Sequence, residues 1–153
     1  MILYDKIKNT LNSEHLAITD FGLEIESSPY EACNFKLENS KIYFRKAKIT
    51  PKKEGQFVVF WKRIPSGVIA PFEESDNFDF LIVETESEAN LGYFVFPKSV
   101  LITKKTVSTT LKEGKRAFRV YPPWSNTKNK QALATQNWQI NYFVSKLISC
   151  SFI

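Results

Sequence analysis

The sequence predicts a single domain, residues 1–153, of the α/β or α+β class, with helices flanking a central mixed sheet of about five strands. The chain has 153 residues and 43% hydrophobic content, 14% aromatic, which is enough for one domain with its own core. Short apolar runs typical of strands fill the middle of the chain. Segments with helical spacing lie before and after them.

Three segments have the spacing of helices. Residues 1–12 place apolar side chains at every fourth position. A short helix is predicted over 98–105, because Pro97 suits a first helical turn. A long C-terminal helix is predicted over 127–149. Its predicted apolar stripe comprises Leu133, Gln136, Ile140, Phe143, Val144, Leu147 and Ile148, and Gln136 is expected to bond a buried backbone group.

Six segments are predicted to form strands. They are 34–38, 41–50, 56–62, 78–84, 91–97 and 115–121. In 78–84, strand alternation places Asp79 on one face with Leu81 and Val83. A buried carboxylate needs a partner. Two interpretations of Asp79 therefore stay open: a metal ligand, or an ion pair with an arginine, for which the candidates are Arg63, Arg116 and Arg119.

Charge is arranged in blocks along the chain, whose formal net charge is +5. Residues 41–63 hold eight Lys or Arg and one acid, 72–90 hold seven Asp or Glu and no base, and 98–130 hold nine Lys or Arg and one acid. Either these blocks form a bipolar surface, which would suit a polyanionic partner, or they pair with each other in the fold.

Several classes of site are excluded by residue types that are scarce. His15 is the single histidine of the sequence, so a Ser-His-Asp or Cys-His arrangement is not expected. The single histidine together with Cys33 and Cys150 would supply too few ligands for a zinc site. The two cysteines show no disulfide pattern, and no apolar run has the length of a membrane span. We therefore expect reduced thiols and a cytoplasmic protein without a membrane partner.

Basic side chains alternate with aromatic ones in two stretches. Lysine and arginine bind phosphates, and rings stack on bases. These residues are therefore the candidate nucleic-acid or anion site, with core rings and solvated lysines as the alternative. The first stretch contributes Arg45, Lys48, Lys52, Trp61, Lys62 and Arg63, and the second contributes Arg116, Arg119, Tyr121, Trp124 and Lys128. A third interpretation is a small-molecule or anion pocket lined by Trp61, Arg119, Tyr121 and Trp124.

Five runs of the sequence carry a family resemblance. They are FRKAKITPKKEGQFVVFWKR (44–63), DNFDFLIV (76–83), GYFVFPKSVL (92–101), GKRAFRVYPPW (114–124) and NKQALATQNWQINYF (129–143). Together they resemble the MepB-like family of bacterial proteins, whose activity is not established. The resemblance implies a sheet similar to that of restriction-endonuclease-like nucleases.

That resemblance raises the question of a nuclease site. Such a core needs acids that hold Mg²⁺ and a lysine that helps to activate water. Glu31, Asp79 and Lys98 are the candidates, but Phe96 stands where a second strand acid is expected. The sequence therefore favours a DNA- or RNA-binding domain with a degenerate nuclease-like fold. A Mg²⁺-dependent nuclease is the alternative, and whether the protein is an enzyme stays open.

Overall fold

The computed structural model describes residues 2–11 and 16–147, and a mixed sheet lies at the centre of its fold. The helices are α1 (Leu3–Leu11), α2 (Lys98–Thr103) and α3 (Lys130–Gln139), with 3₁₀ turns at Ile25–Tyr30 and Ile140–Tyr142. The strands are β1 (Ile18–Leu23), β2 (Cys33–Leu37), β3 (Ser40–Lys46), β4 (Lys48–Thr50), β5 (Lys53–Val59), β6 (Lys62–Arg63), β7 (Ile69–Ala70), β8 (Phe80–Ser87), β9 (Asn90–Pro97), β10 (Ala117–Val120) and β11 (Phe143–Val144).

Within the described residues, the main sheet has six strands in the order β1-β2-β3-β8-β9-β11. Its neighbours are antiparallel except for β3 and β8, which run parallel. That parallel pair places Lys46 opposite Glu84. A second antiparallel sheet has the order β10-β5-β4, and β6 pairs with β7. The predicted single domain with a central mixed sheet is confirmed as a mixed α+β fold, with one more strand than expected.

Alternating side chains of β8 divide the core into two clusters. Ile82 is buried with Ile7 and Leu11, so α1 covers one face of the main sheet. Leu81 and Val83 are buried with side chains of β5 and β10, and Trp138 of α3 packs against the same cluster. The second sheet and α3 therefore cover the opposite face.

The local predictions differ most from the structure in two places. The run 41–50 forms two strands, β3 and β4, which separate at the buried Ala47. The predicted helix 127–149 is too long, because α3 ends at Gln139 and the chain continues through a 3₁₀ turn into β11. Leu133 and Ile140 of the predicted stripe are 48% and 40% exposed. Ala132, Gln136 and Gln139 form the buried face of α3 instead.

Buried amides hold α3 against the chain that follows β10. Gln136 Nε2 donates to the carbonyls of Pro122 and Ser125, each at 3.0 Å, which confirms its predicted role. Gln139 Nε2 donates to Arg119 O at 3.0 Å, and Tyr121 N donates back to Gln139 Oε1 at 2.8 Å. Polar side chains on the buried face of a helix are stable when their hydrogen bonds are satisfied in this way.

None of the helices in the described part of the chain is long and apolar enough to cross a membrane. Cys33 is buried and free, and burial raises the pKa of its thiol to about 12. The predicted positions His15, Cys150 and Ile148 lie outside the described residues.

Candidate functional site

A groove of about 780 Å³ lies between the second sheet and α3. Strands β5 and β10 form one wall and α3 forms the other, and Lys104, just after α2, also lines the groove. Among the described residues, six cationic side chains and one carboxylate, Glu54, line it. The cations are Lys52, Lys53, Lys104, Lys115, Arg119 and Lys128. Clustered charge of one sign in a concave surface produces a strong local potential.

The cations of this groove are not neutralised by acids. Within the described chain, no carboxylate lies within 4.0 Å of any of the six. Some cations on other surfaces do have such partners. Lys46 pairs with Glu84 and Glu86, and Lys62 pairs with Glu73 and Asp76. The six unpaired cations line one concave surface, so positive charge is concentrated in the groove.

Aromatic rings form part of the groove wall. Phe57, Phe118, Tyr121 and Trp138 line it and are each half-buried. Phe118 and Trp138 pack on the buried Phe96, with ring centroids 6.2 and 5.7 Å apart. The Lys104 ammonium lies 5.2 Å from the centroid of the Trp138 ring. The groove wall therefore combines cations with aromatic rings, and two of these rings, Phe118 and Trp138, pack against the core.

Arg119 ties the β4–β5 hairpin to β10. Its Nε donates to Glu54 O at 3.1 Å, and its Nη2 donates to Thr50 Oγ1 at 2.6 Å and Gly55 O at 3.3 Å. Gly55 has φ +78, and a methyl group there would lie 2.6 Å from Tyr121 Cε1. Glycine is therefore required for two reasons: the backbone has a positive φ, and the Tyr121 ring leaves no room for a Cβ atom. Arg119 and Tyr121 together fix the hairpin that carries Lys52 and Lys53.

The predicted binding residues are divided by the fold. Lys52, Arg119, Tyr121 and Lys128 line the groove, and Trp124 lies in an adjoining pocket. The other six lie elsewhere: Arg45, Lys48, Trp61, Lys62, Arg63 and Arg116.

Arg45 is fully buried and is the largest correction among these residues. Its Nη1 and Nη2 donate to the Glu24 carboxylate at 2.9 and 2.7 Å. It also donates to the carbonyls of Phe44 and Val59. A guanidinium with no exposed surface and a bonded carboxylate is a structural ion pair, so Arg45 is not placed to contact a phosphate.

The remaining cations of the prediction have local partners. Lys48 lies 4.8 Å from the ring centroid of Tyr30, and Arg63 lies 5.6 Å from that of Trp61. Arg63 also pairs with Glu26 at 2.7 Å, and Arg116 pairs with Glu113 at 2.9 Å. For Lys62, burial works against the charge, but the hydrogen bonds to Asp76 and Glu73 outweigh it and raise the pKa.

The predicted small-molecule pocket does not form from its four residues together. Arg119 and Tyr121 line the groove, Trp124 lines the adjoining pocket, and Trp61 lines neither. Conversely, the sequence-based prediction missed part of the groove. Lys104 and Lys115 belong to the third charge block, 98–130, so their block was a usable signal. Phe118 and Trp138 carried no such signal, since their positions in a strand and a helix fit a core role equally well.

The predicted nuclease residues Glu31, Asp79 and Lys98 do not meet in one site. Asp79 and Lys98 are backbone neighbours, with Lys98 N donating to Asp79 O at 2.9 Å. Glu31 pairs with Lys6, which also holds Glu84 at 3.0 Å. Glu84 is five residues beyond Asp79 along an extended chain, a separation of about 16 Å. Glu31 therefore lies well away from Asp79 and Lys98.

Asp79 is exposed and has no arginine partner among the described residues. The predicted ion pair of Asp79 with an arginine is therefore wrong. Its Oδ2 accepts a hydrogen bond from Lys41 N at 2.8 Å, which joins the starts of β3 and β8. Lys98 Nζ donates to Asp76 O, and its ammonium lies 5.3 Å from the centroid of the Phe78 ring. In the described chain, no three His, Cys, Asp or Glu side chains are grouped so that they could hold a metal ion.

Comparison with known proteins gives one family. The family model described as MepB-like matches residues 24–145. Among solved structures, the chain is similar to a crystal structure of MepB, with 35% identity and a TM-score of 0.82. The similarity covers 94% of this chain and 97% of that one. No curated protein matches the sequence. The groove is formed largely by residues inside the matched range.

Proposed function

The chain belongs to the MepB-like family, and we propose from the groove itself that the protein is a nucleic-acid-binding domain. The observation that carries this proposal is the set of six cations without acidic partners along one groove of the described structure. Neutralising such a set requires several anionic groups at similar spacing, which a phosphodiester backbone supplies.

The aromatic wall favours a nucleic acid over other polyanions. Phe118, Tyr121 and Trp138 lie among the same lysines. Rings in a basic groove stack on bases, which is the usual arrangement in proteins that bind single strands. A polyanion without bases would have nothing to stack on the parts of these rings that face the groove. The endonuclease-like character of the sheet stays a prediction, and the proposal concerns binding, because Glu31, Asp79 and Lys98 give no common catalytic geometry.

A second candidate is a small anionic molecule. The groove volume of about 780 Å³ lies within the range of small-ligand pockets. The two candidates differ in their dependence on ligand length. A polymer that engages all six cations binds more tightly than its monomer, whereas a pocket for a small anion binds both equally.

The test is fluorescence anisotropy with labelled DNA and RNA oligonucleotides and, in competition, the corresponding mononucleotides. A Lys104→Gln/Lys115→Gln/Lys128→Gln variant removes half of the groove cations. A matched control replaces Lys8, Lys36 and Lys146, which are exposed and lie outside the groove. Both variants change the formal net charge from +5 by three, to +2.

We expect the groove variant to bind oligonucleotides roughly tenfold or more weakly at moderate salt, and the control to bind as the wild type does. Equal losses in the two variants would mean that net charge, and not the groove, attracts the nucleic acid. Equal affinity for mononucleotides and oligonucleotides would favour the small-anion candidate. Absence of binding to every oligonucleotide would refute the proposal.

A further inference from the structure

Strand β10 is an edge strand of the second sheet, and its outer backbone edge is not paired with another strand of the described chain. Phe60 N donates to Arg116 O at 2.8 Å, just before β10 begins. In an antiparallel pair, successive residues alternate between bonding the partner strand and facing away from it. The register that follows Arg116 therefore turns the N–H and C=O groups of Ala117 and Arg119 away from β5.

The two ends of this outer edge are bonded to other parts of the protein. At one end, Lys115 N donates to Thr106 O at 2.9 Å. At the other end, Gln139 Nε2 donates to Arg119 O at 3.0 Å, and Tyr121 N donates to Gln139 Oε1 at 2.8 Å. All five residues line the groove, so the stretch of edge between them faces it.

The middle of the edge is open. Within the described residues, Ala117 N, Ala117 O and Arg119 N have no hydrogen-bond partner, although both residues are half-buried and line the groove. Backbone groups that are partly withdrawn from water are normally bonded. Ala117 O and Arg119 N have the same sequence spacing as Arg119 O and Tyr121 N, which the carboxamide of Gln139 bridges. The gap therefore suits a planar group with one N–H donor beside one acceptor.

We propose that this gap binds the Watson–Crick edge of one unpaired nucleobase, so that the groove selects single strands and tolerates any base. The proposal rests on the proposed function, because the groove cations must first hold the phosphates of the strand. The base donates an N–H to Ala117 O and accepts a hydrogen bond from Arg119 N. Adenine and cytosine offer an amino N–H beside a ring nitrogen, and guanine, thymine and uracil offer a ring N–H beside a carbonyl oxygen.

Two other ligands fit the open edge less well. In a duplex, each base already uses its Watson–Crick edge to bond the partner base, so it has none to offer to β10. An extended peptide could add to an edge strand. It would meet Thr106 at one end of the gap and Gln139 at the other, since both already bond the same edge.

The test measures, by fluorescence anisotropy, the binding of the wild-type protein to three ligands of equal length. They are oligo(dT), an oligomer of N3-methylthymidine, and the oligo(dA)·oligo(dT) duplex. The methyl group replaces the N3–H donor but keeps the phosphates and the ring that stacks. We expect oligo(dT) to bind at least about two- to tenfold more tightly than the methylated strand, the value of one neutral hydrogen bond, and more tightly than the duplex. This comparison needs no variant.

Ala117→Pro places the proline ring at the open edge and removes the outward N–H. It leaves the bonds to β5 intact, and proline is tolerated in an edge strand at such a position. The variant should weaken binding of oligo(dT) and abolish its advantage over the methylated strand. Lys104→Gln is the matched control, because Lys104 lines the groove but does not belong to β10. It should weaken binding of both strands and preserve their ratio.

Equal binding of oligo(dT) and the methylated strand by the wild type would overturn the edge proposal and leave the proposed function intact. It would mean that bases only stack in the groove and that water bonds the edge of β10. A ratio unchanged in a folded Ala117→Pro variant would overturn it as well. Displacement of oligo(dT) by oligoglutamate at equal concentration would favour a peptide ligand instead, and absence of all binding would refute both proposals.

Discussion

Replacing Glu24 with glutamine should lower the free energy of unfolding by about 3–5 kcal/mol, because it leaves a buried charge without a partner. The Arg45 side chain has 0% exposure and donates twice to Glu24, at 2.9 and 2.7 Å. Glutamine keeps the size of the side chain and one acceptor oxygen. It removes the negative charge, and no other carboxylate is bonded to Arg45 in the described chain.

The matched control is Glu26→Gln, two residues away. Glu26 pairs with Arg63 at 2.7 Å, but the two side chains are 53% and 49% exposed. Exposed pairs contribute about 0–1 kcal/mol, so this control should be nearly neutral. The two variants make the same chemical change and differ in the burial of the arginine. Urea unfolding with linear extrapolation measures both free energies.

A third variant, Arg45→Met, tests the direction of the argument. It should cost less than Glu24→Gln, because the remaining Glu24 carboxylate is 22% exposed and can be hydrated. The double variant should then cost less than the sum of the two single changes. A Glu24→Gln cost within about 1 kcal/mol of the Glu26→Gln cost would refute the reasoning, since it would mean that Arg45 finds water or another acceptor.

Three further predictions concern salt, thiol reactivity and alkaline stability. For single strands, Lys115→Gln should reduce the slope of log affinity against log salt by about 0.7, measured by anisotropy, whereas Lys36→Gln should leave it unchanged. In a Cys150→Ser background, Cys33 should react with a disulfide reagent much more slowly than an exposed thiol, because it is buried and burial raises its pKa to about 12. Fast labelling of the folded protein would contradict this. Burial opposes the charge of Lys6, but hydrogen bonds to two carboxylates raise its pKa above 10.5. The contribution of Lys6 to stability is therefore complete below pH 10.5 and lost as the pH rises through the folded pKa. The loss of unfolding free energy caused by Lys6→Met should thus be smaller above pH 10.5 than below it. Urea titrations on either side of that pH measure the difference.

Strand periodicity predicted most of the fold. It was wrong where it was applied to residues that lie outside a regular strand. Alternation over 78–84 predicts that Asp79 shares an apolar face with Leu81 and Val83. The strand begins at Phe80, however, so alternation does not extend back to Asp79. In the same way, the predicted stripe of the last helix continued past Gln139, where the helix ends. Spacing identifies a face only within one regular element, and local sequence marks the ends of elements poorly.

The burial of Arg45 was visible in part from the sequence. Alternation places it on one face with Tyr43 and Ala47, and an arginine among such neighbours is expected to be buried and paired. What the sequence does not provide is the partner. Glu24 lies 21 residues earlier, in a segment without clear periodicity, and reaches Arg45 only through the pairing of β1 with β2 and of β2 with β3. Tertiary topology, and not local pattern, decides which acid a buried base meets.

The same topology explains why one basic block of the sequence has two different roles. Lys46 and Lys52 belong to the block 41–63, but β3 lies parallel to β8, and this places Lys46 opposite Glu84 of the acidic block. The chain then turns away into the β4–β5 hairpin, whose strands pair with each other and with β10, which carries no acid. Lys52 consequently has no acidic partner within the described residues and joins Lys115 in the groove. Acids of the block 72–90 therefore pair with cations such as Lys46 beside the main sheet, whereas the second sheet holds unpaired cations that the proposed polyanion would contact.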